Sequence, residues 1–372
     1  MRQSTQTLPI YQYSHLTVEQ QNAIISNGIL SGEIATFDGK LLRDFEHRVA
    51  DLTGRAHALA VDSGSSALRL ALRGLGIGHG HEVIIPEVSW VSVGAAADIL
   101  GATVRVAPVT DTLTPTWDQI APLITTTTRA VIIAHLRGRP APGTGDIARH
   151  LKERNIALIE DCAQAWGVYV EGRPAGGWGT LATFSTQTFK LIASGEGGAI
   201  VGDDADTMAL MRAVGCDTRE PSPHAMWRWT ARMTKLAAGV AIPQLDFLHS
   251  LVSNLRELQQ QVMEALATQP ALTLVPDQTT AIGNGSHVGM RLRSAATAEQ
   301  LFGALVRGGY RAWWPGPGAL HTASTWPVQA AHSLTDLGRY LDVQIPWLPP
   351  SEHQGWAAEL AAHIGHSLEE AR

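Results

Sequence analysis

From residue 42 onward the chain switches repeatedly between two spacings of apolar residues. Leu42, Phe45, Val49 and Leu52 recur at helical spacing and stop at Gly54, which predicts a helix over Leu42–Leu52. Ala58–Val61 is an apolar run of strand length, and Ser65–Leu75 returns to the helical period. The alternation continues with short strands at Val83–Ile85, Val104–Ala107, Ala130–His135, Ala157–Glu160, Ala182–Ser185 and Ala199–Val201. Helices are expected between them at Trp90–Leu100, Trp117–Ile124, Asp146–Arg154 and Asp206–Val214. Strands separated by helices predict an α/β fold, a mainly parallel sheet covered by helices on both faces. Such sheets bind ligands beyond the carboxyl ends of their strands. Gly64, Asp161 and Ser185 all fall at or just after strand ends.

Past Gly215 the pattern changes. Pro221 and Pro223, with His224, Trp227 and Trp229, mark a loop leading to a helix around Met233–Val240. A longer helical run, Leu251–Leu266, leads to a smaller C-terminal α+β unit. Its expected strands are Leu272–Val275, Val288–Arg291 and Val343–Ile345, and its helices Ala298–Arg307 and Glu352–Ile364. A chain of 372 residues exceeds what one core usually organises. Two units follow, a large one over residues 1–250 and a smaller one over 251–372.

Composition narrows the classes. Hydrophobic residues make up 45% and charged residues 17%, as in a globular protein. A net charge of −6 without a basic run argues against a nucleic-acid partner. Cys162 and Cys216 are the only cysteines, so a reducing compartment suits the chain better than a disulfide framework. Residues 1–15 are polar rather than signal-like, and no uninterrupted apolar run is long enough to span a membrane. The expectation is a cytoplasmic protein. His79 and His81 share a Gly-rich turn without further ligand-type residues, so no metal site is expected.

Three features carry chemistry. Ser63-Gly64-Ser65-Ser66 opens a helix, where hydroxyls and free N–H groups can hold a phosphate or form an ordinary helix cap. Asp161 follows an apolar strand, where a carboxylate needs a partner and could keep a pyridinium nitrogen protonated, or cap the next turn. Gln164, three residues on, could reach a ring hydroxyl. Lys190 lies five residues after Ser185, among Phe184, Phe189, Leu191 and Ile192, and approaches the turn Ser194-Gly195-Glu196-Gly197-Gly198. Apolar neighbours favour the neutral, nucleophilic amine. A lysine nucleophile, a buried carboxylate and a phosphate-binding helix start are the three holds that pyridoxal phosphate needs. Trp90, after the Val83–Ile85 strand, could stack on a flat ring.

The stretch from about Leu42 to Gly215 resembles the DegT/StrS-type sugar aminotransferases, within the fold-type I pyridoxal-phosphate enzymes. The matching text is Phe45-Glu46, Ser63-Gly64-Ser65-Ser66-Ala67-Leu68, Gly76 to Pro86, Glu160-Asp161-Cys162-Ala163-Gln164-Ala165, and Phe184-Ser185 through Lys190 to Gly198. The resemblance implies that Lys190 is the catalytic lysine bearing the cofactor and that Asp161 pairs with its ring nitrogen. It implies ring contacts from Gln164 and Trp90, and phosphate contacts from Gly64, Ser65, Ser66 and Ser185. It also implies a homodimer with interface sites, and transfer of an amino group from glutamate or glutamine to a keto-sugar, cyclitol or related ketone in secondary-metabolite or sugar biosynthesis. Relatives usually carry Asn-aromatic-Arg-Met where this chain has Thr230-Ala231-Arg232-Met233. With that departure, His224, Trp227 and Trp229 become candidate walls of an acceptor pocket. Two other readings are a dehydratase of the same fold, whose members replace the lysine by histidine, and a non-catalytic sensing or assembly protein. Lys190 opposes the first, and the complete set of Lys190, Asp161 and Ser185 opposes the second.

Overall fold

The computed structural model describes residues 39–216, 227–275, 281–319, 321–328 and 336–370. Its elements in chain order are α1 (Lys40–Thr53), β1 (His57–Val61), α2 (Gly64–Gly74), β2 (Glu82–Pro86), α3 (Ser92–Asp98), β3 (Thr103–Ala107), α4 (Trp117–Ile120), β4 (Thr128–Ala134), α5 (Thr144–Lys152) and β5 (Ala157–Asp161). There follow β6 (Tyr169–Val170), β7 (Arg173–Pro174), β8 (Leu181–Ser185), β9 (Gly198–Gly202), α6 (Ala205–Met211) and α7 (Lys235–Leu266). The last are β10 (Leu272–Leu274), β11 (Ala281–Ile282), β12 (His287–Leu292), α8 (Ala295–Arg307), β13 (Ala312–Trp313), β14 (Tyr340–Gln344) and α9 (Pro350–Glu370).

Seven strands form the central sheet in the order β1-β9-β8-β5-β4-β2-β3. The pairs β5–β8, β4–β5, β2–β4 and β2–β3 are parallel, while β9 runs antiparallel to both β1 and β8. The carboxyl ends of β1, β2, β4, β5 and β8 therefore share one edge. Helices cover both faces, as the strand–helix alternation requires. One face buries Leu59, Val61 and Ile132 with Leu68 and Leu72 of α2, and the other buries Ala60, Ala182 and Phe184 with Phe45 and Val49 of α1.

The C-terminal part is a four-stranded antiparallel sheet, β10-β12-β14-β13, packed with α8 and α9. The boundary expected at 250/251 falls inside α7, because the two helices expected at Met233–Val240 and Leu251–Leu266 are one continuous helix with Pro243 inside it. A single cluster includes Phe45 and Val49 of α1, Leu248 and Leu255 of α7, Leu341 of β14 and Leu360 of α9, so packing is continuous across that point. By length and composition α7 could cross a membrane, but Leu251, Leu255, Leu258, Val262 and Leu266 are buried along one stripe in this core.

A second difference lies after β2. The helix expected from Trp90 begins at Ser92, because Val88 pairs with Thr322 and the Ser89 N–H donates to the His321 carbonyl at 3.0 Å. Residues 88–89 are thus held extended by a distant segment, and Trp90 precedes the helix rather than starting it. The short strands β6, β7, β11 and β13 have two residues each and leave no periodic trace in the sequence.

Candidate active site

Each strand end delivers one part of the site. After β1, Ser63 caps α2, its hydroxyl accepting from the Ser66 N–H at 3.1 Å. The helix itself leaves the N–H groups of Gly64 and Ser65 unpaired, at the positive end of its dipole. Gly64 is required here by close approach: a Cβ on it would stand 3.0 Å from Ser185 Cβ. Ser185, at the end of β8, is thereby set against the α2 start. Trp166 holds that strand end by donating from Nε1 to the Ser185 carbonyl at 2.9 Å.

From Ser185 the chain turns through residues 186–197. The Thr186 N–H donates to the Gly197 carbonyl at 2.9 Å, and the Thr188 N–H to the Gly195 carbonyl at 3.0 Å. Gly195 (φ 88°) and Gly197 (φ 153°) take backbone angles that L side chains rarely adopt, and a Cβ on Gly197 would collide with Thr186 Oγ1. Gln244 clamps the loop from α7, accepting from the Ala193 N–H at 3.0 Å and donating to the Ala193 carbonyl at 2.7 Å. Lys190 stands on this braced loop.

One cavity is lined by Lys190, Asp161, Gln164, Trp90, Arg137 and His321, among others. Burial lowers the Lys190 amine to about 8, against a counteracting pull from Asp161 and with help from Arg137. Burial pushes the Asp161 carboxyl up, opposed by a hydrogen bond from the Ala163 N–H (3.0 Å) and by the charge of Lys190. Gln164 accepts the Arg137 N–H at its Oε1 (2.8 Å), which fixes the amide orientation and leaves Nε2 to donate. Trp90, 48% exposed, tilts against His321 with ring centroids 4.8 Å apart.

Beside Asp161, Glu160 points to the other side of the strand. Burial opposes its charge, yet His135 and the backbone donors hold its carboxyl below the usual range. It accepts from His135 Nε2 (3.0 Å) and from the N–H groups of Gly176 (3.0 Å), Trp178 (2.8 Å) and Gly179 (2.6 Å). The Ala141 N–H donates to His135 Nδ1 at 2.9 Å, so the His135 proton sits on Nε2. This buried post fixes the end of β5, and with it Asp161.

The expected residues divide cleanly. Lys190, Asp161, Gln164 and Trp90 line one cavity, and Gly64, Ser65 and Ser66 sit with Ser185 at the α2 start. His224 lies outside the described residues. Trp227 and Trp229 are not brought to the cavity within one chain. Trp227 is 94% exposed, and Trp229 lies under the Arg69 guanidinium (5.0 Å to the ring), its backbone N–H donating to the Val214 carbonyl. The reason is a long-range pairing: Ala231 hydrogen-bonds Gly215 and Asp62, and Arg232 bridges Val61, tying this segment along the end of β1. Residues to which the sequence assigned no role are Arg137, His321, Trp313, Gln244 and Glu160. Of these Gln244 left a trace, a polar residue on the apolar stripe of α7 beside Ala241, Leu245 and Leu248.

The donor set fits pyridoxal phosphate. It offers a lysine amine titrating near neutrality, a buried carboxylate with one oxygen left open by its Ala163 bond, and a helix start pressed against a serine. Residues 16–309 match the model of the DegT/DnrJ/EryC1/StrS aminotransferase family. Among solved structures, DesI in the presence of its TDP-sugar product aligns at 25% identity over 98% of this chain and 94% of that one, with a TM-score of 0.84. S. venezuelae DesV in complex with a ketimine intermediate aligns at 27% identity over 96% of each chain, with a TM-score of 0.83. The 3-amino-5-hydroxybenzoic acid synthase, at 22% identity over 98% and 100%, shares the fold with a TM-score of 0.83.

Proposed function

The chain belongs to the DegT/DnrJ/EryC1/StrS aminotransferase family, and we propose that it moves an amino group from an amino acid, glutamate or glutamine, to a keto-sugar, cyclitol or related ketone in small-molecule biosynthesis. The observation that carries this reading is the meeting of Lys190 and Asp161 in one cavity, beside the braced contact of Ser185 with the α2 start.

Enzymes of this family depend on pyridoxal phosphate, which supplies an electron-accepting ring and a carbon that takes up and returns an amino group. The work of the protein is to hold, orient and move protons. Gly64 and Ser65 N–H groups with the Ser185 hydroxyl bind the phosphate. Asp161 accepts a hydrogen bond from the ring nitrogen and keeps it protonated, and the Lys190 charge favours the ionised carboxylate that this needs. Gln164 Nε2 donates to a ring oxygen, and Trp90 bounds one face. Lys190 Nζ, its amine lowered by burial to about 8, carries the cofactor and then takes and returns the proton at the nitrogen-bearing substrate carbon.

Homodimerisation belongs to the same proposal. Trp90 (48% exposed), which lines the cavity, and Phe189 (59% exposed), next to Lys190 in the chain, are large apolar side chains suited to cover by a second copy. The test is reconstitution with pyridoxal phosphate, borohydride reduction, peptide mapping and a screen of amino donors read from the cofactor spectrum. Label on Lys190 and donor-dependent conversion to the aminated cofactor are expected. Label elsewhere, or a cofactor spectrum inert to every amino acid, sinks the reading.

A further inference from the structure

Arg137 lines the same cavity as Lys190 and Asp161, and nothing in the roles above accounts for it. It sits just beyond the carboxyl end of β4 with φ 57° and ψ 34°, left-handed angles that a side chain adopts only when its surroundings enforce them. Three contacts enforce them. Its N–H donates to Gln164 Oε1, Ser286 Oγ donates to its carbonyl at 3.4 Å, and the Asn284 N–H donates to the Gly138 carbonyl at 2.9 Å. Gly138 follows at φ 68°, so two left-handed residues in succession turn the chain and direct the Arg137 side chain into the cavity.

The guanidinium, with its side chain only 14% exposed, lies over Trp313 at 4.2 Å from the ring centroid. Its Nε approaches Asp342 Oδ2 at 3.4 Å. The two terminal nitrogens have no protein partner among the described residues, so the free edge of the fork is available to a ligand.

Charge counting sharpens this. Asp342 is shared between Arg137 and the buried Arg139, whose Nε and Nη1 also lack partners. Arg139 donates to the Tyr340 hydroxyl, which burial keeps protonated and neutral. His287 and His321 are also held neutral, by burial first and then by the neighbouring cations. Across the cavity Asp161 faces Lys190. Two guanidiniums on one carboxylate leave an excess positive charge on the substrate side, and a bound anion would balance it.

We propose that Arg137 binds a substrate carboxylate, and that the molecules turned over here carry that carboxylate within a few bonds of the reacting carbon. The proposal rests on the aminotransferase reading above and adds the substrate class. A planar carboxylate matches the fork, and because Arg137 and Lys190 line one small cavity, an anion held by Arg137 lies close to the reacting carbon. A distal diphosphate does not meet this requirement, whereas an amino acid donor and an acceptor ketone bearing its own carboxylate both do.

The test uses the reconstituted enzyme and two unreactive probes of the same shape, glutarate and the uncharged glutaramide, titrated calorimetrically. Wild type should bind glutarate at least tenfold tighter than glutaramide. Arg137→Gln should erase that preference, Arg137→Lys should keep part of it, and glutaramide should bind all three alike. A purely structural clamp between Trp313 and Asp342 would lower the melting temperature of Arg137→Gln while leaving the glutarate preference intact, which overturns the proposal. Equal affinities in wild type overturn it without any variant. The two readings fail separately. A chain that does not hold the cofactor on Lys190 yet keeps Arg137-dependent glutarate binding defeats the aminotransferase reading alone. A loaded, transaminating enzyme indifferent to Arg137 defeats this proposal alone.

Discussion

Lys190 should titrate far below an ordinary lysine in the cofactor-free protein. Its amine lies near 8 against 10.5 for an unperturbed lysine, with burial as the main cause. At pH 8 about half of the Lys190 amines are neutral, against roughly 0.3% for a solvated lysine, a difference of about 150-fold in nucleophile. The perturbation is pH itself, and two substitutions then move the midpoint in opposite directions. Asp161→Asn removes the charge that favours protonation, so the midpoint falls further. Arg137→Gln removes a charge that opposes protonation, so it rises. The assay is brief acylation of the cofactor-free chain across pH 6–11, with peptide mass spectrometry following Lys190 against an added free lysine derivative as reference. Half-maximal labelling of Lys190 near pH 8, with the free derivative still rising at the alkaline end, is expected. Labelling of Lys190 in parallel with the free derivative would refute the argument, as would a shift of the same sign in both variants. A stability consequence follows with a defined sign. The fold disfavours the protonated amine, so the cofactor-free chain should gain stability as pH rises from about 8 towards 10.5, and attachment of the cofactor should abolish that gain.

Gln244→Leu leaves the Ala193 N–H and carbonyl buried and unpaired, which costs about 1–3 kcal/mol for each group, so thermal unfolding should shift down by roughly 5 °C or more and Lys190 should load more slowly. Normal melting and loading would show that the loop does not need the clamp. Glu160→Gln presents an NH2 to groups that all donate, and should destabilise the chain by about 3–5 kcal/mol in denaturant titration, whereas a loss below about 1 kcal/mol would deny Glu160 its anchoring part. Gly64→Ala pushes the α2 start off Ser185 and should weaken pyridoxal phosphate binding by about 10–100-fold in a spectrophotometric titration, the equivalent of one charge-assisted hydrogen bond. Sedimentation velocity should show a dimer, with Phe189→Asp shifting it towards monomer; a fully active monomer would remove the interface from the proposal.

The sequence made the cofactor side readable for a physical reason. Parallel strands bring their carboxyl ends to one edge, so residues at the ends of β1, β5 and β8 meet whatever the connecting helices do. Asp161 and Ser185 fall at these ends by count alone, and Gly64 follows from the need for a close approach at the first helix start. Helix positions were equally plain wherever a glycine stopped them, as Gly54 does for α1 through left-handed angles (φ 66°) and N–H bonds to Ala50 and Asp51. What the sequence left unreadable was set by distant contacts. Nothing near Trp90 reveals that residues 321 and 322 will hold Val88 and Ser89 extended, and nothing in the run after Gly215 reveals that Ala231 and Arg232 will lie along β1 and carry Trp229 away from the cavity. Pro243 removes only one donor from α7, so the helix continues where the sequence suggested a division.

The same distinction separates the expected cofactor side of the site from its proposed substrate side. The residues proposed to hold the cofactor come from the carboxyl ends of parallel strands at one edge of the sheet and are placed by topology. The substrate side is assembled from segments far apart in sequence: Arg137 after β4, Trp313 in β13, His321 beyond it and Asp342 in β14. Trp313 donates to His321 Nδ1 at 3.3 Å, His321 meets Trp90, and Arg137 lies on Trp313, so one chain of ring contacts runs from the expected stacking residue to the guanidinium. None of these segments contacts the α2 start, where the phosphate is proposed to sit. Substrate choice can therefore change while the phosphate hold stays fixed, and the excess positive charge around Arg137 lies on the side that is free to change.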